Sequence, residues 1–414
     1  MEFGLIGERL GHSYSPLIHK AFGDYDYQLR PVSREDLPAF MKARDFRGIN
    51  VTIPYKTDVL PYCDEMSDAV KAIGSANTLI FRGARLRAEN TDLAGFLFML
   101  DRAGIELQNK KVLILGSGGT SLTAQAACRE RKAREYLTVS RKGPVTYADM
   151  YEKHLNADVI INATPVGMYP NNLVSPVEVK RFAHLSGVAD VIYNPAQTAL
   201  LLDARDAGIP CTGGLWMLAA QGWYAAKLFL DTDVPEEKIA LAVRLVRRES
   251  LNLILTGMPG SGKTALGRAA AQKLGRTFVD LDQEIEKRHG PIPDIFKQYG
   301  EARFREWETE VILEYGKQSG LVISTGGGAV LREENRRALC QNGVSAWIKR
   351  PLEELSTEGR PLSQGLEALK KMEAERTPLY AAFADFALEN RDSLDSGAQK
   401  LTEGFYEAAD RERP

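Results

Sequence analysis

Leu253-Ile254-Leu255-Thr256-Gly257-Met258-Pro259-Gly260-Ser261-Gly262-Lys263-Thr264 is a short apolar strand running into a glycine turn and a helix start. Residues 257–264 fit G-x-x-x-x-G-K-[ST] without a mismatch. In such a turn the glycines let backbone N–H groups point inward around phosphate oxygens, and the N-terminus of the following helix adds a favourable dipole. Lys263 then reaches the β- and γ-phosphates of ATP, and Thr264 ligates Mg²⁺. Gly257, Gly260, Ser261, Gly262, Lys263 and Thr264 form the expected nucleotide set.

A second unit of the same kind lies upstream. Lys111-Val112-Leu113-Ile114-Leu115 is an apolar strand followed by Gly116-Ser117-Gly118-Gly119. Between and around these two, β-branched or aromatic runs (Gly48–Ile53, Asp158–Ile161) alternate with amphipathic stretches such as Asp92–Ala103 and Thr120–Arg131. That alternation predicts an α/β protein with largely parallel sheets. The helical pattern Glu236–Arg248 stops just before the Leu253 strand, which places a boundary near Ser250 with almost no linker. A weaker division near Asp101–Asn109 splits the first part into two lobes. The expected organisation is residues 1–104, completed by C-terminal helices at about 220–248; a Rossmann-like lobe over 105–219; and a P-loop domain over 251–414.

The 414 residues exceed one ordinary core. With 53 basic and 55 acidic residues the net charge is -2, which gives no support for non-specific nucleic-acid or membrane-surface binding. Cys63, Cys128, Cys211 and Cys340 are scattered without metal spacing and read as reduced structural thiols. No apolar run approaches the ~18 residues of a membrane span, and the opening residues lack the pattern of a signal peptide, so the expected location is the cytoplasm.

A phosphate loop does not name its acceptor; the residues after it do. Phe278-Val279-Asp280-Leu281-Asp282 ends a strand with two carboxylates at i and i+2, which on a strand face the same side. There follow Phe304-Arg305-Glu306-Trp307-Glu308, Thr325-Gly326-Gly327-Gly328-Ala329, Gly359-Arg360-Pro361-Leu362 and Glu375-Arg376-Thr377-Pro378-Leu379-Tyr380. In this order they resemble shikimate kinase across 251–390. The resemblance implies a nucleoside-monophosphate-kinase-like fold in which Asp282 meets the substrate hydroxyls as the base and Asp280 belongs to the Mg²⁺ shell. It makes Arg305 and Arg376 the holders of the carboxylate, a role suited to the planar guanidinium. Gly327 and Gly328 bring backbone donors to the substrate, and Arg360 sits in a closing lid where it meets the transferred phosphoryl group. The segment Pro351–Arg360 is shorter and less basic than is common in that family.

In the first half, Tyr136-Leu137-Thr138-Val139 ends in Ser140-Arg141-Lys142, where an NAD-binding lobe usually offers an acidic ribose ligand. Cations there favour a 2′-phosphate, hence NADP(H). Upstream stand His12-Ser13-Tyr14-Ser15-Pro16, Asn50-Val51-Thr52-Ile53-Pro54-Tyr55-Lys56, Gly74-Ser75-Ala76-Asn77-Thr78 and Asn90-Thr91-Asp92. Turn chemistry or helix capping is an open alternative for each, Asp92 above all, since it precedes an apolar helix. Together with Asn162–Met168, Asp190–Pro195 and Gly213–Gln221, these motifs resemble shikimate dehydrogenase over residues 3–248. That resemblance implies that Ser13, Ser15, Thr52, Asn77, Asp92, Tyr193 and Gln221 surround the substrate, that Lys56 and Asp92 are the catalytic pair, and that Gly214 and Met217 lie beside the nicotinamide. Gly116, Gly118, Gly119, Ser140 and Arg141 are the remaining cofactor residues. Ser140 stands where the family commonly has Asn, and Thr120-Ser121 replaces the more usual alanines.

The expectation is a bifunctional enzyme with small-molecule substrates: reduction of 3-dehydroshikimate with NADPH, then phosphorylation of shikimate with ATP and Mg²⁺. Two other readings stay open: a neighbouring specificity, such as quinate in the first half or another polyol in the second, and a half that serves as a non-catalytic regulatory module.

Overall fold

The computed structural model describes residues 1–11, 13–355 and 366–411. By its contacts the chain divides into two compact units, one of Met1–Asn194 with Thr198–Val246, the other of Pro195–Gln197 with Arg247–Pro414. The division falls inside the helix Lys238–Ser250.

The first unit holds two sheets. Strands β1 (Phe3–Gly7), β2 (Tyr27–Pro31), β3 (Gly48–Val51), β4 (Glu65–Met66), β5 (Thr78–Arg82) and β6 (Arg85–Glu89) form a six-stranded sheet in the order β2-β1-β3-β5-β6-β4. The β1–β2 and β1–β3 pairs are parallel, whereas β3–β5 and the hairpin β5–β6 are antiparallel. The second sheet joins β7 (Lys111–Leu115), β8 (Glu135–Val139), β9 (Val159–Asn162), β10 (Gly187–Asp190) and β11 (Cys211–Gly213) in the order β11-β10-β9-β7-β8, all parallel. Both faces of β7 are covered, so Val112, Leu113, Ile114 and Leu115 are all fully buried, as a central parallel strand requires. The order makes this lobe doubly wound, with its switch point between the neighbouring strands β7 and β9, where such folds bind ligands beyond the strand C-termini.

The helices Leu215–Leu230 and Lys238–Ser250 return to the first lobe. Ala219, Ala220, Trp223, Ala226, Ile239, Ala242, Val243 and Val246 close a core against Ile18, Ala21 and Phe22 of the helix Ser15–Phe22.

The second unit is one parallel sheet of β12 (Asn252–Thr256), β13 (Phe278–Asp280), β14 (Val322–Ser324), β15 (Gly343–Lys349) and β16 (Phe386–Glu389), in the order β13-β14-β12-β15-β16. Alternate residues of β12 and β15 (Leu253, Leu255, Val344, Ala346, Ile348) pack with Leu266, Ala270 and Ala271 of the helix Lys263–Leu274 and with Leu401 and Phe405 of the helix Leu394–Asp410. The glycine turn therefore leaves the central strand of its sheet and enters a buried-faced helix. No helix among the described residues is long and apolar enough to cross a membrane.

Candidate functional site

In the first unit, a cavity of about 380 Å³ is lined by Ser13, Ser15, Thr52, Lys56, Asn77, Asp92, Tyr193, Gly214, Met217 and Gln221, together with Asn50, Arg9 and Thr120. Its chemistry centres on Asp92. The helix Thr91–Arg102 starts there, but Asn90 is its cap: the Asn90 Oδ1 accepts from the backbone N–H of Asp92 and Leu93 at 3.0 and 3.4 Å. Capping therefore belongs to Asn90, and the Asp92 carboxylate is left free for other partners. Its Oδ2 receives the Lys56 ammonium at 2.5 Å and its Oδ1 the Asn77 amide at 2.9 Å.

The Asn77 amide has no freedom to flip. Its Oδ1 accepts from the Thr91 N–H at 2.8 Å and the Thr78 hydroxyl at 3.1 Å, so its Nδ2 faces Asp92 and, at 3.4 Å, Gln221 Oε1. Behind it, Asn50 donates to the Thr78 hydroxyl at 2.9 Å and accepts from the Tyr27 hydroxyl at 2.7 Å. This relay is absent from the sequence reading because Tyr27 is 23 residues from Asn50 and in no motif. Gln221 arrives by a close helix crossing: a Cβ on Gly95 would lie 2.7 Å from the Met217 carbonyl and 2.9 Å from the Gln221 N. Only glycine at 95 lets the helix Leu215–Leu230 bring Met217 and Gln221 beside Asp92.

Gly116, Gly118, Gly119, Ser140 and Arg141 lie outside that cavity lining, beyond the C-terminal ends of the neighbouring strands β7 and β8. Gly118 caps the helix Gly119–Glu130, and the space a side chain would fill at Gly118 and Gly119 is open. This open helix N-terminus after β7, with the exposed Arg141 after the neighbouring β8, fits the phosphates of a dinucleotide. At the end of β10, Asp190 is fully buried and accepts from the Ile192 N–H, the Asn162 amide and the Thr198 hydroxyl at 3.0, 3.1 and 2.7 Å. Burial outweighs these bonds and pushes its carboxyl up to about 6.

In the second unit, Gly262 caps the helix Lys263–Leu274 at φ +93°, a left-handed conformation that side chains disfavour. Lys263 Nζ donates to the carbonyls of Gly257 and Met258 at 2.9 and 3.0 Å, and the buried Ser261 hydroxyl has no hydrogen-bond partner among the described residues. The Thr264 hydroxyl donates to Asp280 at 2.7 Å, a hydroxyl–carboxylate pair of hard oxygens that fits Mg²⁺. The two carboxylates of Asp280 and Asp282 do not share a strand face. The strand β13 stops at Asp280, whose side chain caps the next helix by accepting from Gln283 N–H, and Asp282 lies in that helix's first turn.

Asp282 faces Glu308 instead. A Cβ on Gly326 would lie 2.7 Å from an oxygen of each. Desolvation, then the Glu308 and Asp280 charges, raise the Asp282 carboxyl well above the usual carboxylate range, against the pull of Lys263 and Arg305. Arg305 donates to Glu308 at 2.9 Å and to Glu301 at 3.0 Å, and its guanidinium occupies the space a Gly328 side chain would fill. The Arg305–Glu308 spacing of i and i+3 on a helix is legible in the sequence. Arg376 is buried, its Nε without a hydrogen-bond partner among the described residues, and the Tyr380 hydroxyl donates to the Gly327 carbonyl. A Cβ on Gly327 would lie 2.7 Å from Pro259, so the glycine run abuts the phosphate loop. Arg360 lies outside the described residues. Among those residues no group of His, Cys, Asp and Glu is arranged to hold a metal by itself.

Residues 259–405 match the shikimate kinase family, and residues 5–79 match the shikimate dehydrogenase substrate binding domain. A shikimate dehydrogenase (NADP(+)) of Clostridium perfringens (strain SM101 / Type A) is 35% identical over 248 residues, 55% of this chain and 91% of that protein. Among solved structures, a chorismate mutase/shikimate 5-dehydrogenase fusion protein from Clostridium acetobutylicum is 35% identical with a TM-score of 0.55, covering 58% of this chain and 94% of that one. The shikimate 5-dehydrogenase of Thermus thermophilus in complex with NADP(H) and shikimate is 30% identical with a TM-score of 0.53, covering 58% and 98%. With these likenesses and the two sets of side chains, the chain belongs to the shikimate dehydrogenase family through its first unit and carries a shikimate kinase domain in its second.

Proposed function

We propose that the chain reduces 3-dehydroshikimate to shikimate with NADPH in residues 1–248 and phosphorylates the 3-hydroxyl of shikimate with ATP and Mg²⁺ in residues 251–414. In the first part, residues 1–104 with about 220–248 serve as the substrate lobe and 105–219 as the NADP lobe. The observation that carries this reading is the Lys56–Asp92 pair, held by Asn77 at the wall of a cavity that Gly214 and Met217 also line.

Bound NADPH supplies a hydride to the carbonyl carbon. As alkoxide character develops on the carbonyl oxygen, the Lys56 ammonium stabilises it and gives up a proton to it. Asp92 orients that ammonium and, with Asn77 and Gln221, fixes a neighbouring hydroxyl. Ser13, Ser15, Thr52 and Tyr193 complete the substrate shell. Gly116, Gly118, Gly119, Ser140 and Arg141 hold the cofactor's phosphates and adenosine.

In the kinase unit, bound Mg²⁺ neutralises charge on the ATP phosphates, with Thr264 and Asp280 as its protein ligands. Gly257, Gly260, Ser261 and Gly262 present backbone donors and Lys263 its ammonium. Asp282 accepts the proton of the attacking hydroxyl, Arg305 and Arg376 bind the carboxylate, and Gly327 and Gly328 place the ring beside the phosphate loop. Arg360 is assigned to the transferring phosphoryl group. A loose phosphoryl-transfer transition state needs little covalent help, so positioning and charge stabilisation dominate.

The test is a set of assays on the purified intact chain: reduction of 3-dehydroshikimate and oxidation of quinate, each with phosphorylated and unphosphorylated nicotinamide cofactor, and ATP consumption with shikimate. The reading expects dehydroshikimate with NADPH and shikimate with ATP to be the preferred pairs. Preference for quinate, or no ATP turnover with shikimate, contradicts it.

A further inference from the structure

The cavity of the first unit has an uneven charge. Among its described lining residues the cations are Arg9 and Lys56 and the one carboxylate is Asp92. Lys56 and Asp92 neutralise each other at 2.5 Å. Arg9 is left over: it is exposed at the cavity edge, and no hydrogen bond or ion pair among the described residues engages its guanidinium. The segment that carries it leaves β1 against the substrate wall. Thr52 N–H donates to the Ile6 carbonyl at 2.9 Å, and a Cβ on Gly7 would lie 2.6 Å from Thr52 Cγ2. The same segment leads to Ser13 and Ser15, which offer the cavity neutral hydroxyls.

We propose that Arg9 is the charge partner of the substrate's carboxylate, and so a specificity-determining residue of the dehydrogenase cavity; this rests on the reading of that cavity as a dehydroshikimate site. With the reacting carbonyl at Lys56, the carboxylate two ring positions away otherwise meets only hydroxyl and amide donors. A guanidinium adds a full positive charge and a fork matched to two carboxylate oxygens. Because Arg9 is exposed, solvent and salt screen the attraction, and its effect on binding is modest and salt-dependent.

The test compares 3-dehydroshikimate with its uncharged methyl ester, using the full chain and Arg9→Gln. The variant raises KM for the acid by roughly three- to tenfold, leaves kcat and the KM for NADPH unchanged, and leaves the ester's KM where it was. It also flattens the salt dependence of kcat/KM for the acid, and Arg9→Lys recovers most of the loss. Equal losses on acid and ester, or a change confined to NADPH, overturn this inference alone. A wild-type chain that reduces neither compound overturns the reading of the cavity, and this inference with it.

Discussion

Lys56 Nζ lies 2.5 Å from Asp92 Oδ2, and the opposite Asp92 oxygen is tied to Asn77 at 2.9 Å. The ammonium is thus aimed by a carboxylate that is itself aimed by an amide locked in one orientation. Lys56→Ala should lower kcat for reduction by roughly two to four orders of magnitude with a smaller change in KM. Asp92→Asn keeps the shape but weakens the hold on the ammonium, and should also act mainly on kcat. A loss under tenfold for Lys56→Ala, in steady-state assays on protein with an unchanged circular dichroism spectrum, would remove Lys56 from the chemistry.

Arg141 follows β8 on the exposed edge of the second sheet, one residue beyond Ser140. A charge-assisted contact to a 2′-phosphate contributes about 1.5–3 kcal/mol, or roughly ten- to a hundredfold. Arg141→Ala should shrink the preference for NADPH over NADH by about that factor. An unchanged ratio of kcat/KM values would place the discrimination elsewhere.

Arg305 and Arg376 should bind the carboxylate of shikimate rather than ATP. Arg376→Ala is the cleaner probe. Arg305→Ala would leave the fully buried Glu308 without its 2.9 Å partner, and breaking a buried pair costs about 3–5 kcal/mol of stability. Arg376→Ala and Arg305→Lys should each raise KM for shikimate far more than KM for ATP. The reverse pattern would move these cations to the nucleotide side.

Much of this was legible in the sequence because the backbone demands it. A phosphate loop needs Gly257, Gly260 and Gly262 at fixed spacing, and the apolar run Val112–Leu115 announces a strand buried on both faces. The sequence could not reveal strand order, which depends on how each crossover packs, so the arrangement β11-β10-β9-β7-β8 emerged only in three dimensions. Asp282 was misplaced onto a strand because the period-two argument continued two residues past Asp280, where helix capping had already taken over. The approach of Glu308 to Asp282 is not legible, because the two carboxylates are 26 residues apart in sequence and come together only across Gly326. The Tyr27–Asn50 bond and the Gly95 crossing are long-range contacts without local periodicity.

Asp190 carries a pH signature. Its carboxyl is raised by burial to about 6, so the folded protein holds this proton more tightly than the unfolded chain does. Its contribution to stability is fully present below the unfolded value of about 4 and is lost as pH rises through about 6. Asp190→Asn removes that dependence. Between pH 4.5 and 7 the wild type should lose stability relative to the variant by about 2 kcal/mol, the part of a two-unit shift that falls in this window. Urea unfolding of both proteins at the two pH values checks it; a constant difference would mean that Asp190 titrates normally.

The central claim is that one chain holds two complete, separate chemistries. Each proposed catalytic set lies within its own unit: Lys56 and Asp92 in the first, Lys263 and Asp282 in the second. The most direct measurement assays both reactions on the intact wild type, Lys56→Ala, Asp282→Asn and the double variant. Lys56→Ala should lose reduction of 3-dehydroshikimate while phosphorylating supplied shikimate at the wild-type rate, and Asp282→Asn should do the reverse. The double variant should match each single variant in its own assay, as independent sites do. A folded Lys56→Ala protein that also lost phosphorylation would contradict the account, because the two activities would then share a site.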